Sequence, residues 1–356
     1  MRAERLRALR ALLAAMGADC MAVTSRPNVR YLTGFTGEDS AAVVTQDAAY
    51  VVTDSRFTMQ ASIECPECEV IDNPSSLMGS VRSCITDGRH KRVAFEDACI
   101  GYADYGRLTA GMGGVTFLAA GDAITKMRAA KDEGEVRVMA EAARIADLAL
   151  RETLPLIGPR TKEHEVASEL EYRMRKAGAQ GRSFETIVAS SFRAALPHGT
   201  ATDRIIGDDA CLVLDFGAIY EGYCSDITRT IFLGDPGPEL ERIYGIVLAA
   251  QEEALKAIKA GVPCRDADAA ARGLIAGEGY GDAFWHSLGH GVGLEIHEAP
   301  RVSGRSDDVL ATGMVITVEP GIYVEGLGGV RTENAVVVLE GGYRDLTGFG
   351  KALTRI

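Results

Sequence analysis

The sequence has no surplus of positive charge and no long apolar run, and each absence excludes a class of function. Its 356 residues include 38 lysines and arginines against 50 acidic residues, which gives a net charge of −12. Such a chain has no basic excess with which to displace the counterions of a nucleic-acid backbone. No stretch of about 20 apolar residues marks a membrane-spanning helix. We therefore expect a protein that acts on small solutes or peptides.

Cysteine is present, but without the spacing of a disulfide framework. The eight cysteines are scattered along the chain, which is typical of a reducing compartment, and we expect a cytoplasmic protein. Cys65 and Cys68 form a single C-x-x-C pair, which is incomplete as a zinc site and is interpreted as structural or incidental. At the N-terminus, Leu6, Leu9 and Leu13 recur at helical spacing, which favours an amphipathic helix over a secretory signal.

The length of the chain favours two domains over one. Residues 1–122 combine the opening helix with short β-like runs such as CMAVT and AAVVT, which predicts an α/β domain. Residues 123–356, which begin with a charged segment, are predicted to form a second domain. In this part, two helical patterns precede a predicted hairpin, and the same order then occurs again. The repetition predicts an α+β domain with two similar halves.

Two of only six histidines lie in the segment GHGVGLEIHE, residues 289–298, which is too rich in glycine for a stable helix. Its third glycine comes one position too early for a phosphate-binding G-x-G-x-x-G loop. The H-E-x-x-H spacing of a zinc-protease helix is absent as well. If these histidines bind a ligand, their partners must come from elsewhere in the sequence.

The first predicted hairpin brings two aspartates together. Asp215 and Asp226 are eleven residues apart across a turn. A Tyr220-Glu221 loop would set them directly opposite each other, and a Glu221-Gly222 loop would set them diagonally. Because strand side chains alternate between faces with a period of two, both registers leave the two carboxylates on one face.

The second predicted hairpin does the same for two glutamates. Glu319 and Glu333 are fourteen residues apart, and a loop centred on Gly326 places them opposite each other. Four carboxylates that face a common centre would repel one another unless cations lay between them. Asp215 and Glu319 end the apolar runs LVLD and VITVE, where burial is expected and a buried carboxylate needs a partner. Two oxygen-preferring divalent cations would satisfy all four, with His290 as the imidazole that completes the set.

This ordered set of acids and histidine resembles the pita-bread metallopeptidases, namely methionine aminopeptidase, aminopeptidase P and prolidase. The resemblance rests on DFGAIYEGYCSDITRT, GHGVGLEIHE, VEPGIY and VRTEN, and it extends from about residue 122 to the end. It implies that Asp226 and Glu333 bridge two metal ions. Asp215 would chelate one ion, and His290 and Glu319 would hold the other. Because the set has no thiolate, Mn(II) or Co(II) is expected rather than tetrahedral zinc.

The segment RPNVRYLTGFTG resembles the N-terminal creatinase/prolidase-like domain of the proline-specific members, which methionine aminopeptidases lack. The resemblance therefore implies hydrolysis of the Xaa-Pro bond at the N-terminus of a peptide, by a hydroxide that bridges the two metals. Glu319 is expected to take the proton of the attacking water and pass it to the proline nitrogen. His297 or His286 would stabilise the tetrahedral oxyanion. Further matches to substrate-binding or supporting positions of the family are His198, Tyr323 and Arg331.

Several alternatives to an Xaa-Pro aminopeptidase remain at this point. A metal-free relative of the creatinase type or a non-catalytic binding module would have lost ligands, and none is missing. An Xaa-Pro dipeptidase, or prolidase, differs only in substrate length. The motif YLTGFTG favours the aminopeptidase, but Ser191 and Arg193 replace residues that are often Gly and Asn in relatives, and Arg193 is then available to contact the carboxylate of a dipeptide. A homodimer is expected, in which the N-terminal domain of the neighbouring subunit closes the amino side of the cleft.

Overall fold

A computed structural model describes residues 2–356. The chain separates into two compact units, one up to Arg128 and one from Ala129 to Ile356. The division predicted after residue 122 falls just before a helix, Ala123–Ala129, that begins in the first unit. No helix within residues 2–356 has the length and apolar character needed to cross a membrane.

Helices and strands are interspersed along both units. In chain order, the helices are α1 (Arg2–Met16), α2 (Arg26–Thr33), α3 (Thr58–Glu64), α4 (Leu77–Asp87), α5 (Tyr102–Thr109), α6 (Ala123–Ala129), α7 (Glu133–Thr153), α8 (Glu163–Lys176), α9 (Pro238–Ala257) and α10 (Cys264–Gly277), with short 3-10 turns at Leu154–Leu156, Ser191–Ala195 and Gly281–Ala283. The strands are β1 (Cys20–Val23), β2 (Ser40–Thr45), β3 (Ala49–Thr53), β4 (Glu69–Asp72), β5 (Arg92–Phe95), β6 (Thr116–Ala119), β7 (Gly181–Arg182), β8 (Ile187–Ser190), β9 (Ala210–Phe216), β10 (Ala218–Tyr220), β11 (Tyr223–Cys224), β12 (Ile227–Leu233), β13 (Gly289–Gly291), β14 (Glu298–Val302), β15 (Val315–Val318), β16 (Gly321–Val324), β17 (Gly328–Arg331), β18 (Asn334–Leu339), β19 (Gly342–Asp345) and β20 (Thr354–Arg355).

The first unit is built on a six-stranded mixed sheet with the strand order β4-β3-β2-β1-β5-β6. Strand β2 pairs antiparallel with β1 and β3, and the other three pairs, β3–β4, β1–β5 and β5–β6, are parallel. Helix α1 buries Leu6, Leu9 and Leu13, the face that their spacing predicted. Apolar residues of the central strands pack against α4 and α5 to form the core. This arrangement is the predicted α/β domain.

The second unit contains two layers of helices on strands, one in each half. In the first half, α7 and α8 bury their apolar faces against β8, β9 and β12. In the second half, α9 and α10 pack against β15, β16, β17 and β18. Helix α7 begins at a capping box formed by Asp132 and Glu135, whose D-x-x-E spacing is typical of a helix start. The order of two helices followed by a hairpin therefore occurs twice, as expected from the sequence.

The first hairpin turns at Glu221 and Gly222, which lie between β10 and β11. Their φ angles of 43° and 77° are those of a type I′ turn, which matches the twist of two antiparallel strands. Strands β9 and β12 place Asp215 opposite Thr228. Asp226, two residues before Thr228, therefore lies diagonally to Asp215 on the same face. Of the two registers that the sequence left open, the structure has the diagonal one.

The second hairpin has the predicted register. Strands β15 and β18 place Val318 opposite Asn334, and β16 and β17 continue the same register. Glu319 is therefore opposite Glu333, between the two ladders. The loop that joins β16 to β17 is centred on Gly326, whose φ is 79°. In both hairpins, the acids therefore lie at or next to the ends of buried strands.

Candidate metal centre

The five predicted metal ligands surround one cavity of about 850 Å³ in the second unit. They are Asp215 and Asp226 of the first hairpin, Glu319 and Glu333 of the second, and His290 of β13. One ligand atom each from Asp226, His290 and Glu333 lies within 4.8 Å of the other two. The Nε2 atom of His290 is 3.7 Å from Asp226 Oδ2 and 3.4 Å from Glu319 Oε1. Residues that are far apart in the sequence therefore face a single space.

The imidazole of His290 presents a lone pair to these carboxylates. Its Nδ1 lies 3.1 Å from the carbonyl oxygen of Gly291. Because a carbonyl only accepts hydrogen bonds, Nδ1 carries the proton and Nε2 keeps its lone pair. Burial also lowers the pKa of His290 to about 4, so the ring is neutral near pH 7. Metal-binding histidines are commonly oriented in this way, through a second hydrogen bond to a carbonyl.

The carboxylates are buried and repel one another. Burial, followed by the nearby charge of Glu333, raises the pKa values of Asp226 and Glu319 well above the usual range. Burial and then the charge of Asp215 raise the pKa of Glu333 to about 7. Within residues 2–356, the buried atoms Asp215 Oδ1, Asp226 Oδ1 and Glu333 Oε1 have no hydrogen-bond partner. Divalent cations would both coordinate these oxygens and offset the repulsion, so the donor set fits metal ions.

A buried chain of hydrogen bonds holds Asp215 from its other side. Arg331 donates to Asp215 Oδ2 at 2.6 Å and to the Tyr323 hydroxyl at 2.7 Å. The same hydroxyl is 2.9 Å from Nε2 of His286, whose Nδ1 is 2.8 Å from the Ser287 carbonyl. The His286 proton is therefore on Nδ1, and Nε2 accepts from Tyr323. Burial raises the pKa of Tyr323 to about 12 and lowers that of His286 to about 4, so the phenol keeps its proton and the imidazole stays neutral.

Two threonines that the sequence interpretation did not include orient the ligands. Thr228 Oγ1 donates to Glu333 Oε2 at 2.6 Å and accepts from Arg331 Nε at 3.0 Å. Thr317 Oγ1 donates to Glu319 Oε1 at 3.1 Å. Each threonine is two residues from a predicted ligand on the same chain segment. A search for polar residues at a period of two along these buried strands would have found both.

The remaining histidines of the predicted site also line the cavity, but they are more exposed. The ring of His297 lies with its centroid 4.4 Å from that of His290, at an interplanar angle of 69°. His198 lines the cavity as well. His164 is not part of this group and pairs with Asp203 at 3.0 Å. The structure therefore brings together all the histidines that the resemblance assigned to the site.

The hypothesis that Arg193 contacts a substrate carboxylate is wrong. Arg193 is not among the residues that line the cavity. Its guanidinium forms an ion pair with Glu163, whose side chain is fully buried, and it also donates to the Thr200 carbonyl at 2.8 Å. Ser190 and Thr202 donate to the same glutamate. The charge of Arg193 is thus neutralised inside the fold.

Besides Arg331, whose guanidinium donates to Asp215 and Tyr323, a second guanidinium lines the cavity, that of Arg301. It lies opposite His290 across the β13–β14 ladder, so the two side chains share a face. Its side chain is exposed and makes no hydrogen bond or ion pair with the other residues that the structure describes. The sequence interpretation missed this residue because the ladder contains an irregular register between His290 and Gly291, which a hydrophobic pattern does not reveal.

Comparison with known proteins identifies the family. The model of metallopeptidase family M24 matches residues 137–340, and that of the creatinase/prolidase N-terminal domain matches residues 5–130. The chain belongs to metallopeptidase family M24. The predicted fold class, a creatinase/prolidase-like domain followed by a pita-bread domain, is confirmed. So is the prediction that the protein is a peptidase.

This M24 peptidase is similar to its relatives over nearly the whole chain. It is 43% identical to the uncharacterized peptidase YqhT of Bacillus subtilis, over 98% of this chain and 99% of that protein. The structure of an Xaa-Pro dipeptidase from Bacillus anthracis matches with a TM-score of 0.97 and 40% identity, covering 100% of both chains. The crystal structure of an X-Pro aminopeptidase from Thermotoga maritima matches with a TM-score of 0.91 and 39% identity, covering 97% of this chain and 100% of that one.

Proposed function

We propose that this M24 peptidase hydrolyses Xaa-Pro dipeptides with the help of two divalent metal ions. The observation that carries the proposal is the position of Arg301, whose guanidinium has no partner within residues 2–356, in the same cavity as five metal-ligand side chains. A dipeptide has a carboxylate one residue from the scissile bond, and guanidinium groups bind carboxylates through paired, charge-assisted hydrogen bonds. The similarity to the Bacillus anthracis Xaa-Pro dipeptidase supports this substrate class.

The donor set supports an assignment of the ligands. Asp226 and Glu333 would contribute to holding both ions, Asp215 would hold one of them, and His290 and Glu319 would hold the other. Carboxylates with one imidazole and no thiolate favour Mn(II) or Co(II). Such ions, when bound, lower the pKa of a water molecule and polarise the scissile carbonyl.

The side chains of the protein then position the substrate and move the proton. Burial raises the affinity of the Glu319 carboxylate for a proton, since it raises the pKa of this group, and Glu319 receives a hydrogen bond from Thr317 at one of its oxygens. It can therefore accept the proton of the attacking water and deliver it to the proline nitrogen. Because proline has no amide proton and a fixed φ, the leaving nitrogen gains its first N–H only in this step.

Hydrogen bonds distinguish the two imidazoles, His286 and His297, that could stabilise the oxyanion. Both ring nitrogens of His286 are engaged, one as a donor to Ser287 and the other as an acceptor from Tyr323. Such a ring has no proton to offer to a developing negative charge. His297 lies against His290 and is exposed to the cavity. We therefore assign oxyanion stabilisation to His297 and a supporting role to His286.

An Xaa-Pro aminopeptidase is the second candidate. It is favoured by the similarity to the Thermotoga maritima X-Pro aminopeptidase, and a cavity of about 850 Å³ has room for a peptide longer than two residues. The two candidates differ in what Arg301 contacts. In the dipeptidase it binds the terminal carboxylate, and in the aminopeptidase that carboxylate lies farther along the peptide.

The test compares Ala-Pro, Ala-Pro amide and Ala-Pro-Ala as substrates of the Mn(II)-loaded enzyme and of Arg301→Ala. We expect Ala-Pro to be preferred, and we expect Arg301→Ala to raise its KM by about tenfold or more, the size of one lost charged hydrogen bond. The amide, which lacks the carboxylate, should be little affected by the substitution. Arg305→Ala, which removes an exposed arginine outside the cavity lining, is the matched control. Preferred cleavage of Ala-Pro-Ala, unchanged in Arg301→Ala, would establish the aminopeptidase instead.

A further inference from the structure

The only tryptophan of the chain, Trp285, is both exposed and fixed in place. It lines the substrate cavity and is 60% exposed. One face of its ring stacks on the buried Tyr323, with centroids 5.8 Å apart and an interplanar angle of 30°. Its Nε1 donates to the carbonyl of Asp282. The indole therefore has one face against the protein and the other free.

The backbone on either side of Trp285 is held by a single guanidinium. Arg272 donates to the carbonyl of Phe284 and to that of His286, both at 2.9 Å. Asp268 holds Arg272 with two hydrogen bonds of 2.8 and 2.9 Å. The same carboxylate accepts from the backbone N–H of Leu288 at 3.0 Å. An exposed aromatic side chain on so constrained a segment loses little conformational entropy when a ligand packs on it.

The indole is connected to Asp215 through Tyr323 and Arg331. It stacks on Tyr323, which shares a hydrogen-bonded guanidinium with Asp215. Arg301 belongs to a different part of the lining, the β13–β14 pair, where it lies on the same face as His290. A dipeptide that spans the cavity with its carboxylate at Arg301 would direct its amino end toward Asp215. The side chain of its first residue would then lie next to the free face of the indole.

We infer that Trp285 selects the residue that precedes proline and favours large apolar and aromatic side chains. This inference rests on the proposed function, because it takes the orientation of the substrate from the contact with Arg301. Aromatic rings attract apolar groups by area burial and ring stacking. A glycine in the first position has no side chain to bury against the indole. An acidic side chain in that position gains no ion pair from an uncharged ring.

The experiment measures kcat/KM of the Mn(II)-loaded enzyme for Phe-Pro, Leu-Pro, Gly-Pro and Asp-Pro. In the unaltered enzyme, we expect Phe-Pro and Leu-Pro to exceed Gly-Pro and Asp-Pro. In Trp285→Ala, the value for Phe-Pro should fall about tenfold, the scale of a lost apolar contact in a specificity pocket, while that for Gly-Pro stays within about twofold. Trp285→Phe should keep most of the preference. Tyr172→Ala, which removes an aromatic side chain that is 58% exposed on α8 and outside the cavity lining, should leave all four values unchanged.

The outcomes separate this inference from the proposed function. Equal losses for Phe-Pro and Gly-Pro in Trp285→Ala would overturn it, because they would indicate a general structural role. With Phe-Ala measured as a fifth substrate, a change in the ratio of Phe-Pro to Phe-Ala, without a change in that of Phe-Pro to Gly-Pro, would also overturn it by placing the indole beside the proline. In each of these cases, hydrolysis of Gly-Pro by the unaltered enzyme would leave the proposed function intact. Failure of the unaltered enzyme to cleave any Xaa-Pro dipeptide would reject both.

Discussion

At the scale of single residues, backbone carbonyls decide which nitrogen of each buried imidazole is free. The carbonyls of Gly291 and Ser287 each accept a hydrogen bond from the Nδ1–H of the histidine that precedes them. His290 is thereby left with a lone pair toward the carboxylates, and His286 with a lone pair toward Tyr323. Two histidines four residues apart in one segment thus have different tasks, which the sequence spacing alone does not distinguish.

The Tyr323 hydroxyl is a single atom on which two site residues depend. In Tyr323→Phe, the ring is kept, but Arg331 and His286 each lose a buried hydrogen bond, which costs about 1–3 kcal/mol for each group left unpaired. We expect kcat to fall by about tenfold or more. The free energy of unfolding should fall by an amount similar to the cost of the groups left unpaired. Steady-state kinetics and chemical denaturation measure the two effects. An unchanged kcat in a correctly folded variant would contradict the view that the hydrogen bonds from His286 through Tyr323 and Arg331 support Asp215.

At the scale of elements, the ion pair of Arg193 and Glu163 fastens the segment after β8 to the start of α8. Removal of one partner leaves a buried charge, so Glu163→Ala and Arg193→Ala should each lower the free energy of unfolding by about 3–5 kcal/mol. Neither should change the preference between Ala-Pro and Ala-Pro-Ala, because Arg193 does not line the cavity. A selective loss of dipeptide hydrolysis in Arg193→Ala, without loss of stability, would instead support a contact between this residue and the substrate.

The contribution of Glu163 should also depend on pH. Burial acts to raise its pKa, but hydrogen bonds from Thr202, Ser190 and Arg193 prevail and hold the pKa below its usual value. A carboxylate with a depressed pKa stabilises the fold above its unfolded-state pKa, and this stabilisation is lost as the pH falls through the folded-state value. Acid should therefore reduce the stability gap between the unaltered protein and Glu163→Gln, as measured by denaturation at several pH values.

The hairpins show which features a sequence can predict at this scale. The shared face of Asp215 and Asp226 was predictable because it follows from a period of two in either register. The register itself was not, because it depends on whether Glu221 adopts a positive φ, which non-glycine residues adopt only at a cost. Arg301 was missed for a related reason, since its approach to the site depends on an irregular strand pairing. Arg193 was misassigned because its partner, Glu163, is thirty residues earlier in the chain.

At the scale of the whole molecule, the predicted ligands all belong to the second unit. Their mutual repulsion opposes folding of this unit, and bound cations would offset it. A ligand that binds only the native state stabilises it by about 2.7 kcal/mol when its free concentration is about 100 times Kd. The order of elements in this unit was predictable, because each helix has an apolar face of helical period. The convergence of its strands on one cavity required long-range pairing that local patterns do not encode.

Removal of metal ions should therefore abolish activity and lower the thermal midpoint of the second unit. Hydrogen exchange after chelation should show lost protection in β9, β12, β15 and β18, with little change in the sheet of the first unit, which contains none of the predicted ligands. Asp226→Ala should behave in the same way without a chelator, because a ligand that bridges two ions, as proposed for Asp226, would serve both. Glu185→Ala, which removes an acid that lines the cavity but is not a predicted ligand, is the control. Full activity and an unchanged midpoint in metal-free protein would contradict this prediction.

The single tryptophan gives the protein an intrinsic optical reporter at its substrate cavity. Indole emission responds to the removal of water from the ring, and Trp285 has one face open to the cavity. A peptide that packs there should change the emission of the unlabelled protein, including variants that bind substrate without turning it over. The first unit contains no tryptophan. A thermal denaturation that is monitored by indole emission would therefore record the unfolding of the second unit alone.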